Sequence, residues 1–260
     1  MITSPGRVAF TVFGLDVMWY GIMIASGMLA AVGLAYYRAP GAGLEQDRIV
    51  DIALYCIPAG ALGARIYYVI FEWSYYMAHP DKILNFRSGG LAIHGGLIFG
   101  IALGIYLSRR WKLNIPRYID LVAPSVALGQ AIGRWGNFFN SEAHGRPTDL
   151  PWAVIVNDVP VHPTFLYESV WCLLLCIFLV LYDRSGRKKF DGQIFLMYAG
   201  LYSAERFFVE GLRTDSLMLG PFRQAQVLSA AVMMLCLIVY GIRIRKTAPS
   251  DREQEKENEN

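Results

Sequence analysis

Charge is what this chain has least of. Only 17% of its 260 residues are charged and 55% are hydrophobic, where a soluble domain carries about 25% charged residues. The deficit is patterned. Val17 to Tyr37 holds no Asp, Glu, Lys or Arg, and a helix needs about 20 such apolar residues to cross a bilayer. A soluble globular class does not fit. Lysine is missing from the apolar runs: Lys82, Lys112, Lys188, Lys189, Lys246 and Lys256 all lie outside them. That removes a retinal protein, which needs a membrane lysine for its Schiff base. Metal-ligand spacing is missing as well. His79, His144 and His162 fall in separate outer loops and do not join His94, and no HExxH occurs. No metal and no other cofactor is expected. Cysteine is sparse, and Cys56, Cys172, Cys176 and Cys236 all sit in apolar runs. Cys172 and Cys176 share one helix face, a placement that suits neither a disulfide nor a complete metal site. They read as small buried hydrophobes. The first fifteen residues carry one cation, Arg7, and the run after them is long enough to span, so no cleavable leader is expected.

What is present is a series of apolar runs near residues 17–37, 51–71, 89–108, 119–134, 164–182, 192–209 and 225–242. The expected fold is all-α and polytopic, about seven transmembrane helices within an integral membrane domain over residues 1–246. Lys and Arg cluster on alternate loops: Arg38 and Arg48; Arg109, Arg110, Lys112 and Arg117; Arg184, Arg187, Lys188 and Lys189; Arg243, Arg245 and Lys246. Cation-rich loops stay in the cytoplasm, so the N-terminus is expected outside and the C-terminus inside. The net charge of +3 is small, and nothing points to a nucleic-acid partner. Residues 247–260 (TAPSDREQEKENEN) are polar and free of aromatics. Such a composition cannot bury a core, so this tail is expected to be disordered. Gly96, Gly100 and Gly104 recur every four residues in the third run, a stripe that lets another helix approach closely.

Ionisable groups inside a bilayer are costly and are functional candidates by default. Here they are Arg65, His94, Arg134, Glu168, Arg206 and Glu210. With the topology above, each falls in the outer half of the membrane. Tyr202, Arg206, Glu210 and Arg213 are spaced four, four and three apart and form one helical stripe. Arg206 and Glu210 can pair. Taken alone, that pair reads equally as structure or as function. Arg134, on another span, shifts the balance, because two arginines can clamp one phosphate through their fixed forks of donors. Around Arg134, GRWGNFFNSE reads as a Gly- and Asn-rich turn able to hold an anion. Asn140 and Gly145 taken singly read as turn residues. Gly95 and Gly96 beside His94 leave room for a ligand, although a lone interfacial histidine is more often structural. Tyr20 suits the interfacial aromatic belt. A transporter would place its polar groups at the midplane on broken helices, and a purely structural membrane protein would not need outer-side charges.

In their order and content, WYGIMI, LAIHGGLIFG, GRWGNFFNSEAHG, HPTFLYE and RFFVEGLRTD resemble the segments of the bacterial prolipoprotein diacylglyceryl transferases. The resemblance runs from about residue 16 to 245, and GRWGNFFN is its most specific segment. Seven helices with an outward N-terminus also agree with the family. Ser141 stands where the family commonly has Gly, which touches only local loop geometry. The resemblance implies transfer of sn-1,2-diacylglyceryl from phosphatidylglycerol to the lipobox cysteine of a prolipoprotein, giving a thioether and glycerol phosphate. It implies a multi-pass protein of the bacterial cytoplasmic membrane, with its active site outward and no cofactor. By motif, His94, Arg134 and Arg206 would be catalytic. Tyr20, Asn137, Glu142, Gly145, Tyr202, Glu210 and Arg213 would bind substrate or lipid. The chemistry is consistent: the nucleophile belongs to the substrate, and fixed arginines can meet the charge of a phosphate leaving group. His94 could take the thiol proton or only position a substrate.

Overall fold

The computed structural model describes residues 2–86 and 89–247. Most of the sequence expectation for a disordered tail concerns residues 248–260, which lie outside the described residues. The chain is mostly helical and divides into two compact units, one of residues 1–34 and 119–260, the other of residues 35–118.

The first unit opens on a short strand β1 (Ile2–Thr3), a hairpin β2 (Val8–Val12) and β3 (Leu15–Met18), and helix α1 (Trp19–Arg38), whose last residues pass into the other unit. The second unit holds α2 (Gln46–Phe71), the short α3 (Trp73–Ala78) and α4 (Ile93–Arg110). The first unit resumes within α5 (Ile115–Asn140) and continues through the hairpin β4 (Val154–Val156) and β5 (Val159–Val161), then α6 (Thr164–Arg184) and α7 (Gln193–Glu210). It closes with the hairpin β6 (Met218–Leu219) and β7 (Phe222–Arg223) and with α8 (Gln224–Thr247).

Four of these helices, α1, α2, α6 and α8, are long and apolar enough to cross a membrane. Their outward residues include Leu29, Leu54, Leu174 and Leu237, each more than half exposed. Apolar surface on that scale calls for a nonpolar surrounding rather than water. The long helices α4, α5 and α7 carry the polar groups discussed below.

The all-α expectation needs correcting, because the described residues include three small sheets, ordered β1–β4–β5, β2–β3 and β6–β7. They occupy segments that hydropathy reads only as loops. Their cause is local. Asn157 and Asp158, between β4 and β5, have φ of 49° and 61°, as a two-residue hairpin turn requires.

In the first unit, Ala123 and Ala127 of α5 pack with Leu175, Cys176 and Leu179 of α6 and Ile194 of α7. Small residues on α5 let the three helices close around one core. The start of α7 is held from α5. No side chain of its own segment caps α7, but buried Asp120 accepts Gly192 N at 2.7 Å and Phe195 N at 2.9 Å. Its charge also suits a helix N-terminus, and Lys188 Nζ lies 2.9 Å from it. Asp120→Ala leaves two part-buried amides without this acceptor and is expected to cost about 1–2 kcal/mol. Thermal unfolding of the purified protein should show it as a clear drop in midpoint.

In the second unit, α2 and α4 approach through glycine. A Cβ on Gly63 would stand 2.7 Å from Gly95 O, and one on Gly96 would stand 3.3 Å from Gly60 O. Gly100 and Gly104 continue the same contact along Cys56. Arg65, 2% exposed, donates to the carbonyls of Lys82 at 2.6 Å, Ile83 at 2.8 Å, Gly89 at 2.8 Å and Gly90 at 2.9 Å. Grouped by sequence with the other intramembrane charges, it instead anchors a loop.

Candidate active site

The polar centre of the first unit is Glu168, in the second turn of α6 and 1% exposed. An ionised carboxylate so deeply buried must be paired. Three arginines reach it from different parts of the chain. Arg134, from α5, ion-pairs with it. Arg206 Nη1, from α7, lies 3.3 Å from Oε1, and Arg213 Nη1 lies 3.7 Å from the same oxygen. Each arginine has a further partner. Arg206 Nη2 donates to Glu210 Oε2 at 2.6 Å, one turn along α7. Arg134 Nη2 donates to the Tyr202 hydroxyl at 3.3 Å. Arg213 grips both oxygens of Asp215, at 2.9 and 2.7 Å. That fork holds the Asp215 carboxyl below the ordinary carboxylate range.

These commitments leave donors over. Among the described residues, Nε and Nη1 of Arg134 and Nε of Arg206 make no hydrogen bond or ion pair. Both side chains are 20% exposed. The cluster therefore presents partly open, permanently charged donors above a buried carboxylate. Ser169 fastens α6 to α5 beneath it, donating to Ala131 O at 2.7 Å and accepting from Trp135 Nε1 at 3.2 Å.

The loop after α5 is tied to the same place. Asn137 Nδ2 donates to Glu142 Oε1 at 3.0 Å, and Glu142 N returns to Asn137 O at 3.1 Å. Gly145 N donates to His162 O at 2.9 Å, Arg146 N donates to Leu212 O at 2.9 Å, and Gly145 pairs with Arg213 as an isolated bridge. A Cβ on Gly145 would stand 2.6 Å from His162 Cβ and 3.1 Å from Leu212 O. Any side chain there must displace His162, and it also crowds the Leu212 carbonyl that precedes Arg213. Gly145→Ala is therefore expected to lower kcat/KM by roughly 10- to 100-fold in protein that still folds, because small displacements of positioned groups are costly. Steady-state kinetics with a matched unfolding curve separates the two effects.

The first unit thus contains nine of the ten residues singled out in the sequence: Tyr20, Arg134, Asn137, Glu142, Gly145, Tyr202, Arg206, Glu210 and Arg213. The tenth, His94, belongs to the second unit, in the first turn of α4. There it is exposed, and its ring centroid lies 6.1 Å from that of Tyr67. One local expectation fails. GRWGNFFN is not a turn: α5 runs unbroken through it to Asn140. Its glycines serve helix packing, since a Cβ on Gly136 would stand 2.8 Å from Tyr20 Cδ2 and one on Gly133 would stand 3.4 Å from Ile24 Cδ1. The turn begins at Ser141, whose φ is 54°.

Two residues outside the sequence set belong to this site. Glu168 stands out in sequence as an intramembrane acid, yet only the structure makes it the common partner of three arginines. Glu205, 5% exposed, is the other. Its only signal in the sequence was an acid within the sixth apolar run, beside Arg206 and off the stripe.

Apolar helices that face a nonpolar surrounding, with a charged cluster set among them, define a membrane-embedded helical protein. Its family follows from comparison. The sequence model described as "Prolipoprotein diacylglyceryl transferase" matches residues 7–242. The chain is similar to the phosphatidylglycerol–prolipoprotein diacylglyceryl transferase of Clostridioides difficile (strain 630), 53% identical over 86% of this chain and 89% of that protein. It is similar to the enzyme of the same name from Finegoldia magna, 47% identical over 90% of this chain and 94% of that one. With that from Bacillus mycoides it shares 43% identity over 95% and 94% of the two chains. The chain belongs to the prolipoprotein diacylglyceryl transferase family.

Proposed function

We propose that this enzyme transfers the diacylglyceryl group of phosphatidylglycerol to the lipobox cysteine of a prolipoprotein, and that Arg134 and Arg206 hold the lipid phosphate while the group leaves. The activity rests on the family membership and on the names of the relatives. The observation that carries the site is the convergence of these two arginines on buried Glu168 with donors to spare.

The reaction needs a sulfur–carbon bond to form and the bond between the diacylglyceryl carbon and the phosphate oxygen to break. The departing oxygen keeps the bonding pair and leaves as glycerol phosphate. Guanidinium donors fixed beforehand stabilise that charge without reorganising during the step. Glu168 and Glu210 set the rotamers of the arginines, and Tyr202 and Asp215 set the edges of the cluster. Asn137, Glu142 and Gly145 hold the loop that closes on Arg213. The thiol must lose its proton, since the thiolate is the nucleophile. His94 is the candidate acceptor by side-chain type, because a neutral imidazole offers a nitrogen lone pair. The direct test incubates the purified protein with phosphatidylglycerol and a lipobox peptide and weighs the product. A peptide heavier by one diacylglyceryl group is expected, and its absence sinks the reading.

We also propose that all seven long helices span the bacterial cytoplasmic membrane, with the N-terminus and the site outward. The alternation of Lys- and Arg-rich loops supports this orientation. A cysteine placed at Thr148 is expected to react with an impermeant thiol reagent in intact cells, and one placed at Ser185 to stay shielded. The reverse labelling would put the site on the wrong side.

A further inference from the structure

Glu205 stands apart from the other buried acids of the first unit. Glu168 and Glu210 are held by arginines, and Asp120 by two amides and a lysine. Both carboxyl oxygens of Glu205 are buried, and neither has a hydrogen-bond partner among the described residues. Yet Glu205 adjoins Arg206 in the chain and lies within electrostatic range of Arg134, Arg206 and Glu168. The arginines are turned to Glu168 and Glu210 instead.

A buried carboxyl without a partner is an acceptor awaiting a donor. Depth indicates where that donor comes from. The Arg134 and Arg206 side chains are 20% exposed, whereas Glu205 is 5% exposed. A phosphodiester held at the arginines has two arms. The diacylglyceryl arm must stay open to the attacking thiol. The glycerol arm, with its two hydroxyls, carries no such requirement. A buried carboxyl within electrostatic range of the two arginines suits a hydroxyl donor and offers nothing to an apolar group.

We propose that Glu205 is a headgroup-contact residue that accepts a hydrogen bond from a glycerol hydroxyl of phosphatidylglycerol, and so favours polyol headgroups over apolar ones. This rests on the reading of Arg134 and Arg206 as the phosphate site. A site built around a substrate hydroxyl discriminates strongly against the analogue lacking it, because its own polar group is then left unpaired.

The test uses the full chain in vesicles, with a lipobox peptide as acceptor. It compares phosphatidylglycerol with phosphatidylpropanol, which keeps the phosphodiester but has no hydroxyl. The wild type is expected to prefer phosphatidylglycerol by roughly 10- to 100-fold in kcat/KM. Glu205→Met should lose most of that preference, slowing on phosphatidylglycerol while phosphatidylpropanol changes little. Glu205→Gln keeps an acceptor oxygen and should fall between. A wild type that uses both lipids equally overturns the proposal, and this arm needs no variant to fold. So does a variant that slows on both lipids by the same factor, which would mark Glu205 as structural or as a partner of the thiol. Failure of the arginine reading looks different: Arg134→Lys would then match the wild type on both lipids, whatever Glu205 does.

Discussion

Arg134→Lys and Arg206→Lys are each expected to slow diacylglyceryl transfer by about 10²–10³-fold while leaving a folded protein, the usual loss when one fixed donor to developing negative charge is removed. Lysine keeps the positive charge and so still answers Glu168, which is 1% exposed and needs its counter-ions. What it loses is the planar fork that meets a carboxylate and a phosphate at once. The geometry makes that loss specific. Arg206 directs one N–H of Nη1 to Glu168 at 3.3 Å and one of Nη2 to Glu210 at 2.6 Å, and the remaining N–H groups of the same plane are left for a ligand. An ammonium in its place must choose between carboxylate and lipid. Glu210→Gln should cost less, because it loosens the orientation of Arg206 without removing a donor. The measurement is turnover beside folded yield and lipid binding, all on one preparation. Near-normal turnover by both lysine variants would retire the clamp. Slow turnover that merely tracks a poor folded yield would assign the arginines to structure alone.

Much of this was legible from the sequence, for physical reasons that also mark where legibility ends. The long helices could be read because apolar runs must be continuous to cross lipid. Their ends were less visible. The fourth run, read as 119–134, is the helix Ile115–Asn140, because Asp120 and Arg134 lower its hydropathy while helping to assemble the site. Gly133 and Gly136 suggested a turn, but they are where α1 meets α5, and helix packing overrode their local preference. The small sheets were invisible to a search for spans. β4 and β5 are three residues each and are specified by a two-residue turn rather than by periodicity. The α7 stripe was legible because helical spacing alone puts Tyr202, Arg206 and Glu210 on one face. That Arg134 joins them could be suspected from residue type, but the acid that gathers them lies on a third helix. Glu205 had the least to announce it, since what distinguishes it is a missing partner, and no sequence prints that.

The role of that gathering acid sets the second large effect. Glu168→Leu is expected to destabilise the protein by about 3–5 kcal/mol, the cost of breaking a buried ion pair by removing one partner. The side chain is 1% exposed, and Arg134, Arg206 and Arg213 all turn to it. Deleting it leaves three guanidinium groups sharing Glu210 and Asp215. Glu168→Gln keeps the shape and an acceptor oxygen, so its cost should be smaller, and its lost charge should still disturb arginine orientation and hence turnover. The consequence for ligand binding is more telling than the loss itself. An anion that binds only the folded protein stabilises it by mass action. Arginines released from their carboxylate should therefore make the leucine variant more responsive to added phosphatidylglycerol than the wild type. Thermal unfolding with and without that lipid, against a zwitterionic control, reads both effects together. A large drop in midpoint with partial recovery by the anionic lipid alone fits an arginine cluster held open by Glu168 for a phosphate. A large drop that no anionic lipid repairs would make Glu168 a structural counter-ion of arginines that never meet the headgroup, and the phosphate site would have to be sought elsewhere.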